Sequence, residues 1–133
     1  MKTLSRFLAL LSVSIYVLCA ASCSAQPKYP KATSSVFDDA SPLLNTNVQA
    51  RGLLRWTFEN RNLFPPETSA DHVSTKTCLP VLIPGDNDAL IELAKKMDGH
   101  IVTVSGRIVE VAPQGKVSVT TCKQVGIEVN SIN

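Results

Sequence analysis

Catalytic signatures are scarce in this sequence. It has no glycine-rich phosphate loop and no G-x-S-x-G elbow, which removes the common nucleotide-binding and hydrolase readings. Histidine occurs only at His72 and His100, and no H-x-x-x-H or C-x-x-C spacing exists. Two cysteines and two histidines would match zinc by count, but without ligand spacing neither a metal nor any other cofactor is expected. Aromatic residues make up 5% of the chain, and residues 48–133 hold only Trp56, Phe58 and Phe64. Excess charge is as thin. The chain has 13 Lys+Arg against 11 Asp+Glu, and the two surplus cations, Lys2 and Arg6, both lie in the first six positions. Residues 48–133 carry nine of each sign. Single-strand binders need a positive groove lined with stacking aromatics, so no nucleic-acid partner is expected.

What the chain does have stands at its start. Met1–Arg6 is basic, Phe7–Ala21 is an unbroken uncharged apolar run, and the small residues Ala20-Ala21-Ser22 lead into Cys23. Residues 1–22 therefore read as a secretory signal peptide. The string Ala20-Ala21-Ser22-Cys23 resembles the lipobox of bacterial lipoproteins, with Ala20 where that pattern usually has Leu. The resemblance implies that Cys23 is lipidated, becomes the mature N-terminus and anchors the protein to a membrane of the cell envelope. Ser24 in place of Asp implies the outer membrane, facing the periplasm, where two membranes are present. Two alternatives stand beside it. Ordinary cleavage after Ser22 or Ala25 would leave a soluble periplasmic or secreted protein. An uncleaved anchor is the other, since Phe7–Pro27 carries no charge and reaches the ~20 residues needed to span a bilayer.

Processing leaves Cys78 and Cys122 as an even pair in an oxidising compartment, where a disulfide is the default. Closing so long a loop stabilises by ~4 kcal/mol on chain-entropy grounds. Residues 23–47 are rich in Ser, Ala, Pro and Asn, without period, and read as a flexible tether that holds the domain roughly 25–30 Å from its anchor. Phe37 and Pro42-Leu43-Leu44 are its apolar residues able to dock on the domain.

From Val48 the texture changes. Leu54, Trp56 and Phe58 alternate with polar residues, which predicts a half-exposed strand with both aromatics on its core face. Asn60–Lys76 reads as a polar loop. Thr77–Ile83 reads as a second strand, at an edge or bulge because of Pro80. Asp86 is placed to cap a helix whose apolar face is Leu90, Leu93, Ala94 and Met97, with Glu92 and Lys96 paired outside and Gly99 at the exit. In 100–111 the apolar phase flips after Ile108, which predicts a bulge near Gly106. Lys116–Thr121 and Val125–Val129 follow as short strands around the turn Pro113-Gln114-Gly115.

A small barrel is the economical way for five short strands and one helix to bury one face. The stretch LIELAKKMDGHIVTVSGRIVEV resembles the helix-then-strand segment of small OB-fold domains in bacterial envelope proteins, over about 55 residues from Leu79 to Ile132. That likeness implies a mainly β fold with one helix, a five-stranded OB-like barrel over 48–133, with an α+β sandwich as the alternative. An OB helix lies between strands three and four, whereas here it precedes the third predicted strand. Either the first segment, with Leu63-Phe64, contributes two strands, or the topology differs.

For function, these observations favour a non-catalytic envelope module that binds a protein or small ligand. One alternative is a structural accessory with no discrete ligand. Another is an enzyme using the 60–76 loop, where Asp71-His72 lie near Ser74 and Cys78. In a proline-bounded polar loop such residues are ordinarily turn formers. A partner surface is expected on that loop or on an exposed strand edge.

Overall fold

The alternation at Leu54 and Trp56 extends back through Val48 and Ala50, and this apolar face builds strand β1, Asn47–Trp56. The structure, a computed structural model, describes residues 29–111 and 122–133. The signal peptide 1–22, Cys23, the turn at 113–115 and the expected strand Lys116–Thr121 lie outside the described residues. After β1 come β2 (Arg61–Phe64), β3 (Leu79–Leu82), helix α1 (Asp88–Lys96), β4 (Ile101–Glu110) and β5 (Val125–Ile132). The sheet closes in the order β1-β2-β3-β5-β4 and back to β1, with β3 and β5 parallel and the other pairs antiparallel. A closed five-stranded barrel with its helix between the third and fourth strands is an OB fold. The α+β sandwich is thereby excluded.

The missing strand of the sequence reading is β2. Arg61–Phe64 falls at the head of the segment expected to be a polar loop, and its four residues are too few to show a period. It pairs with the end of β1, Leu54 opposite Leu63, across a turn in which the Thr57 amide donates to the Asn60 carbonyl at 2.8 Å. That turn overturns one expectation. Trp56 is buried, but Phe58 lies beyond the end of β1 and is 84% exposed.

Two glycines allow the barrel to close. At Leu53 β1 changes partner, from β4 to β2, and a Cβ on the neighbouring Gly52 would stand 2.2 Å from the Phe64 carbonyl oxygen. The β4–β5 register shifts between Ser105 and Gly106, the expected bulge, and a Cβ on Gly106 would meet the Glu128 carbonyl oxygen at 2.1 Å.

Helix α1 is capped by Asn87 rather than Asp86: the Asn87 side chain accepts from the Leu90 amide at 3.2 Å. Leu90 and Ala94 carry its buried stripe, while Leu93 stays partly exposed. Glu92 pairs with Lys95 at 2.5 Å, the i,i+3 spacing instead of the expected i,i+4. Gly99 takes a positive φ of 76° at the helix exit, and its amide donates to the Leu54 carbonyl at 2.8 Å.

The tether reading fails for the described part of 23–47. Ser34–Phe37 and Ser41–Leu43 form short 3-10 turns, and Val36, Phe37 and Ala40 are buried in the main core with Val48 and Leu54. Ahead of them, the Ala32 amide donates to the Gln49 carbonyl and the Gln49 amide to the Pro30 carbonyl, both at 2.8 Å. Full burial of a Phe side chain is worth ~1.5–3 kcal/mol, enough to hold a segment that its Ser- and Pro-rich composition would leave loose. Residues from Pro30 onward are therefore part of the barrel, ahead of the start expected at Val48.

Candidate interaction surface

OB folds bind ligands on the outer face of strands two and three and on the loops between strands one and two and between strands four and five. In this chain the first of these areas is covered. The outward side chains of β1, β2 and β3 alternate with those of the core, and Leu53, Phe64 and Cys78 form a second apolar cluster with Ala70 and Cys122 packed against it. Phe64 is only 1% exposed. Pro80 is fully buried, opposite Asn62 in the β2–β3 register. The Asn62 side-chain oxygen accepts from the Cys122 amide at 3.1 Å.

Two contacts fasten this cover. Cys78 and Cys122 are joined by a disulfide with a Cα separation of 6.5 Å, tying the end of the β2–β3 loop to the chain leading into β5. Arg55, on the outer side of β1, donates from one guanidinium nitrogen to the Ala70 carbonyl at 2.8 Å and from another to the Asp98 carboxylate at 3.2 Å. The same carboxylate oxygen accepts from the Trp56 amide at 2.8 Å. Arg55 thus links the β2–β3 loop to the exit of α1.

The groups considered for catalysis lie in solvent or are otherwise committed. Asp71, His72 and Ser74 are all exposed. Ser74 accepts from the Lys76 amide through its hydroxyl at 3.2 Å, a local turn contact. Cys78 is committed to the disulfide and cannot serve as a thiolate nucleophile. His100 sits with Nδ1 3.0 Å from the Asp98 carbonyl. Glu128 faces Arg107 across β4–β5, whereas Glu110 faces Val125. Among the described residues no group of three His, Cys, Asp or Glu side chains is placed to hold a metal ion. None of their helices is long and apolar enough to cross a membrane.

Among the described residues, the β1–β2 turn and the face around the N-terminal segment remain open. Phe58 projects from the turn Thr57–Asn60, which the Asn60 amide closes by donating to the Thr57 hydroxyl at 3.1 Å. Beneath it the Arg61 guanidinium lies over the Trp56 ring, 5.1 Å from its centroid, and seals that end of the core. On the other face, a cleft of about 420 Å³ is lined by Lys31, Ala32, Gln49, Arg51, Thr103 and Asn133. Sequence reasoning missed both areas. Phe58 falls in phase with Leu54 and Trp56, and the cleft exists only because residues 30–32 dock beside β1.

No protein-family model matches the sequence, and no curated protein matches it. Among solved structures the chain is similar to OBody AM2EP06 bound to hen egg-white lysozyme, with a TM-score of 0.49 at 14% identity over 82% of this chain and 94% of the other. OBody AM3L15, also bound to hen egg-white lysozyme, gives 0.49 at 14% identity over 80% and 94%. A protein of Leishmania major Friedlin described as an aspartyl-tRNA synthetase gives 0.47 at 15% identity, over 82% of this chain but 21% of its own. At such identity no residue role is carried over from these proteins.

Proposed function

We propose that this chain is a non-catalytic lipoprotein of the cell envelope, anchored through Cys23, whose barrel docks a partner protein, or a small ligand, through the β1–β2 turn. The exposure of Phe58 carries this reading. An aromatic ring left in water on a tight turn of a rigid barrel gains ~1.5–3 kcal/mol when a partner buries it. Such rings are the usual anchors of protein interfaces. The signal-like start and the Cys78–Cys122 disulfide support the envelope as its compartment, since disulfides persist outside the reducing cytosol. The exposure of Asp71, His72 and Ser74 and the commitment of Cys78 to the bridge support a non-catalytic role.

The test is a photo-crosslinking amino acid at position 58 in the exported protein, with one at the exposed Glu92 of α1 as the comparison. A discrete adduct at 58 and none at 92 is the expected result. No adduct at either position would replace the docking reading with a structural accessory that has no discrete ligand. Mass spectrometry of the same protein is expected to find Cys23 carrying two or three acyl chains, because one chain alone gives only marginal membrane binding. An unmodified N-terminus at Gln26 would remove the anchor and leave a soluble exported domain.

A further inference from the structure

We propose that the cleft between the N-terminal segment and the β1–β4 ribbon is a binding site for a phosphate ester. The sheet register fixes its lining. Lys31 bridges in parallel to Gln49, and Gln49 stands opposite Ser105 on β4, so these three residues form one lateral row. In the next row Arg51 stands opposite Thr103. The Asn133 main chain extends that row by exchanging two hydrogen bonds with Thr103, of 2.7 and 2.9 Å. Paired residues of a sheet project to the same side, which gathers the Lys31, Gln49, Arg51, Thr103 and Asn133 side chains around one space.

The chemistry of this lining points to an oxyanion. Its side chains offer an ammonium, a guanidinium, a hydroxyl and two amides and no carboxylate, so two cations stand against the one main-chain carboxylate of Asn133, which accepts from the Thr103 amide at 2.7 Å. The ion pairs of the described residues are Arg55–Asp98 and Glu92–Lys95, so neither Lys31 nor Arg51 is committed to one. Arg107 lies on the same ribbon, but its guanidinium donates to the Asn45 side chain at 3.2 Å, so Lys31 and Arg51 are the cations that line this cleft. A guanidinium fork beside an ammonium and a hydroxyl suits the several acceptor oxygens of a phosphate. The Gln49 amide is held by its hydrogen bond to the Ser105 hydroxyl, 3.4 Å, and the main chains of both rows are pinned by sheet bonds. The site is therefore ordered before a ligand arrives. At about 420 Å³ the cleft exceeds a bare phosphate and has room for the organic group that an ester carries. The ester's source is either a free metabolite-sized phosphate or a phospholipid headgroup.

Amide chemical shifts of the exported protein, followed in dodecyl maltoside micelles that carry no phosphate, distinguish these sources. Added glycerol phosphate is expected to give a saturable shift confined to Lys31, Gln49, Arg51 and Thr103. The same residues shifting when phosphatidylglycerol enters the micelles, with glycerol phosphate then without effect, assigns the site to a headgroup. A response to glycerol phosphate alone assigns it to a free ester. Arg51→Gln and Lys31→Gln, both at exposed positions, are each expected to weaken binding about tenfold or more. Thr103→Val keeps every charge and is expected to weaken binding several-fold. Binding unchanged in Thr103→Val, or shifts spread over all exposed cations, would reduce the effect to unspecific charge and overturn the proposal. No shift with either phosphate source overturns it outright.

Discussion

The Lys123 ammonium donates to the Phe37 carbonyl at 2.6 Å, joining two residues 86 positions apart. It also donates to the Asp38 carbonyl. The Cys78 amide donates to the Phe37 carbonyl at 2.8 Å, so one turn of the N-terminal segment is gripped from both partners' ends of the disulfide. Phe37 itself reaches inward, its ring 3.2 Å from where a Cβ on Gly52 would stand. The segment before β1 is thus part of the barrel wall.

Phe37→Ala should accordingly destabilise the protein by ~3–5 kcal/mol, the range for removing a buried aromatic. Urea unfolding followed by Trp56 fluorescence measures it. A change under about 0.5 kcal/mol, as expected of an ordinary surface substitution, would show that the segment is not docked in solution.

The disulfide should matter on a similar scale. Replacing both Cys78 and Cys122 by Ala is expected to cost ~2–5 kcal/mol, and to loosen the cluster of Leu53 and Phe64 beneath the β2–β3 loop. Thiol labelling of the denatured protein checks the bridge itself. Cys78 and Cys122 should react only after reduction, and reaction without reductant would refute it.

A pair of glycine substitutions separates backbone crowding from mere chain stiffening. Gly106→Ala puts a methyl group against the Glu128 carbonyl inside the β4–β5 bulge and should cost ~1–3 kcal/mol or more. Gly85→Ala meets nothing within 4 Å and should change stability by less than about 0.5 kcal/mol. Equal effects at the two sites would mean that the bulge is not where the register places it.

The contrast between these glycines also shows what could be read in advance. The phase flip after Ile108 announced the bulge, and Gly99 announced the helix exit, because both signals are local. Cys78 and Cys122 announced their pairing through compartment chemistry. The strand β2 was legible only through topology, as the extra strand at Leu63-Phe64 that an OB barrel requires, since Arg61–Phe64 is too short for a period and three of its four residues are buried. The docking of Val36 and Phe37 was equally hidden: two apolar residues in a Ser- and Pro-rich stretch are buried by a surface made of distant strands. Phe58 misled for a related reason. Its alternation continues that of Leu54 and Trp56, but β1 ends at Trp56 and the chain turns before the next inward position. The candidate site followed suit, because its rows join residue 31, two strands and residue 133, which no local pattern connects.

The barrel should not bind single-stranded DNA or RNA with steep salt dependence. Nucleic-acid platforms stack successive bases on exposed aromatics above a basic track. Here Phe64, on the outer face of β2, lies beneath the stapled β2–β3 loop, and Trp56 is covered by Arg61, leaving Phe58 as the one exposed Phe or Trp ring among the described residues. The cleft beside the N-terminal segment gathers two cations, Lys31 and Arg51. If the two cations of that cleft each neutralise one phosphate, the slope of log affinity against log salt is about −1.4, less than about a tenfold loss between 50 and 200 mM. Fluorescence anisotropy with labelled oligonucleotides at those two concentrations measures it. Micromolar affinity at low salt that falls more than tenfold would require a longer row of phosphate contacts than this surface offers.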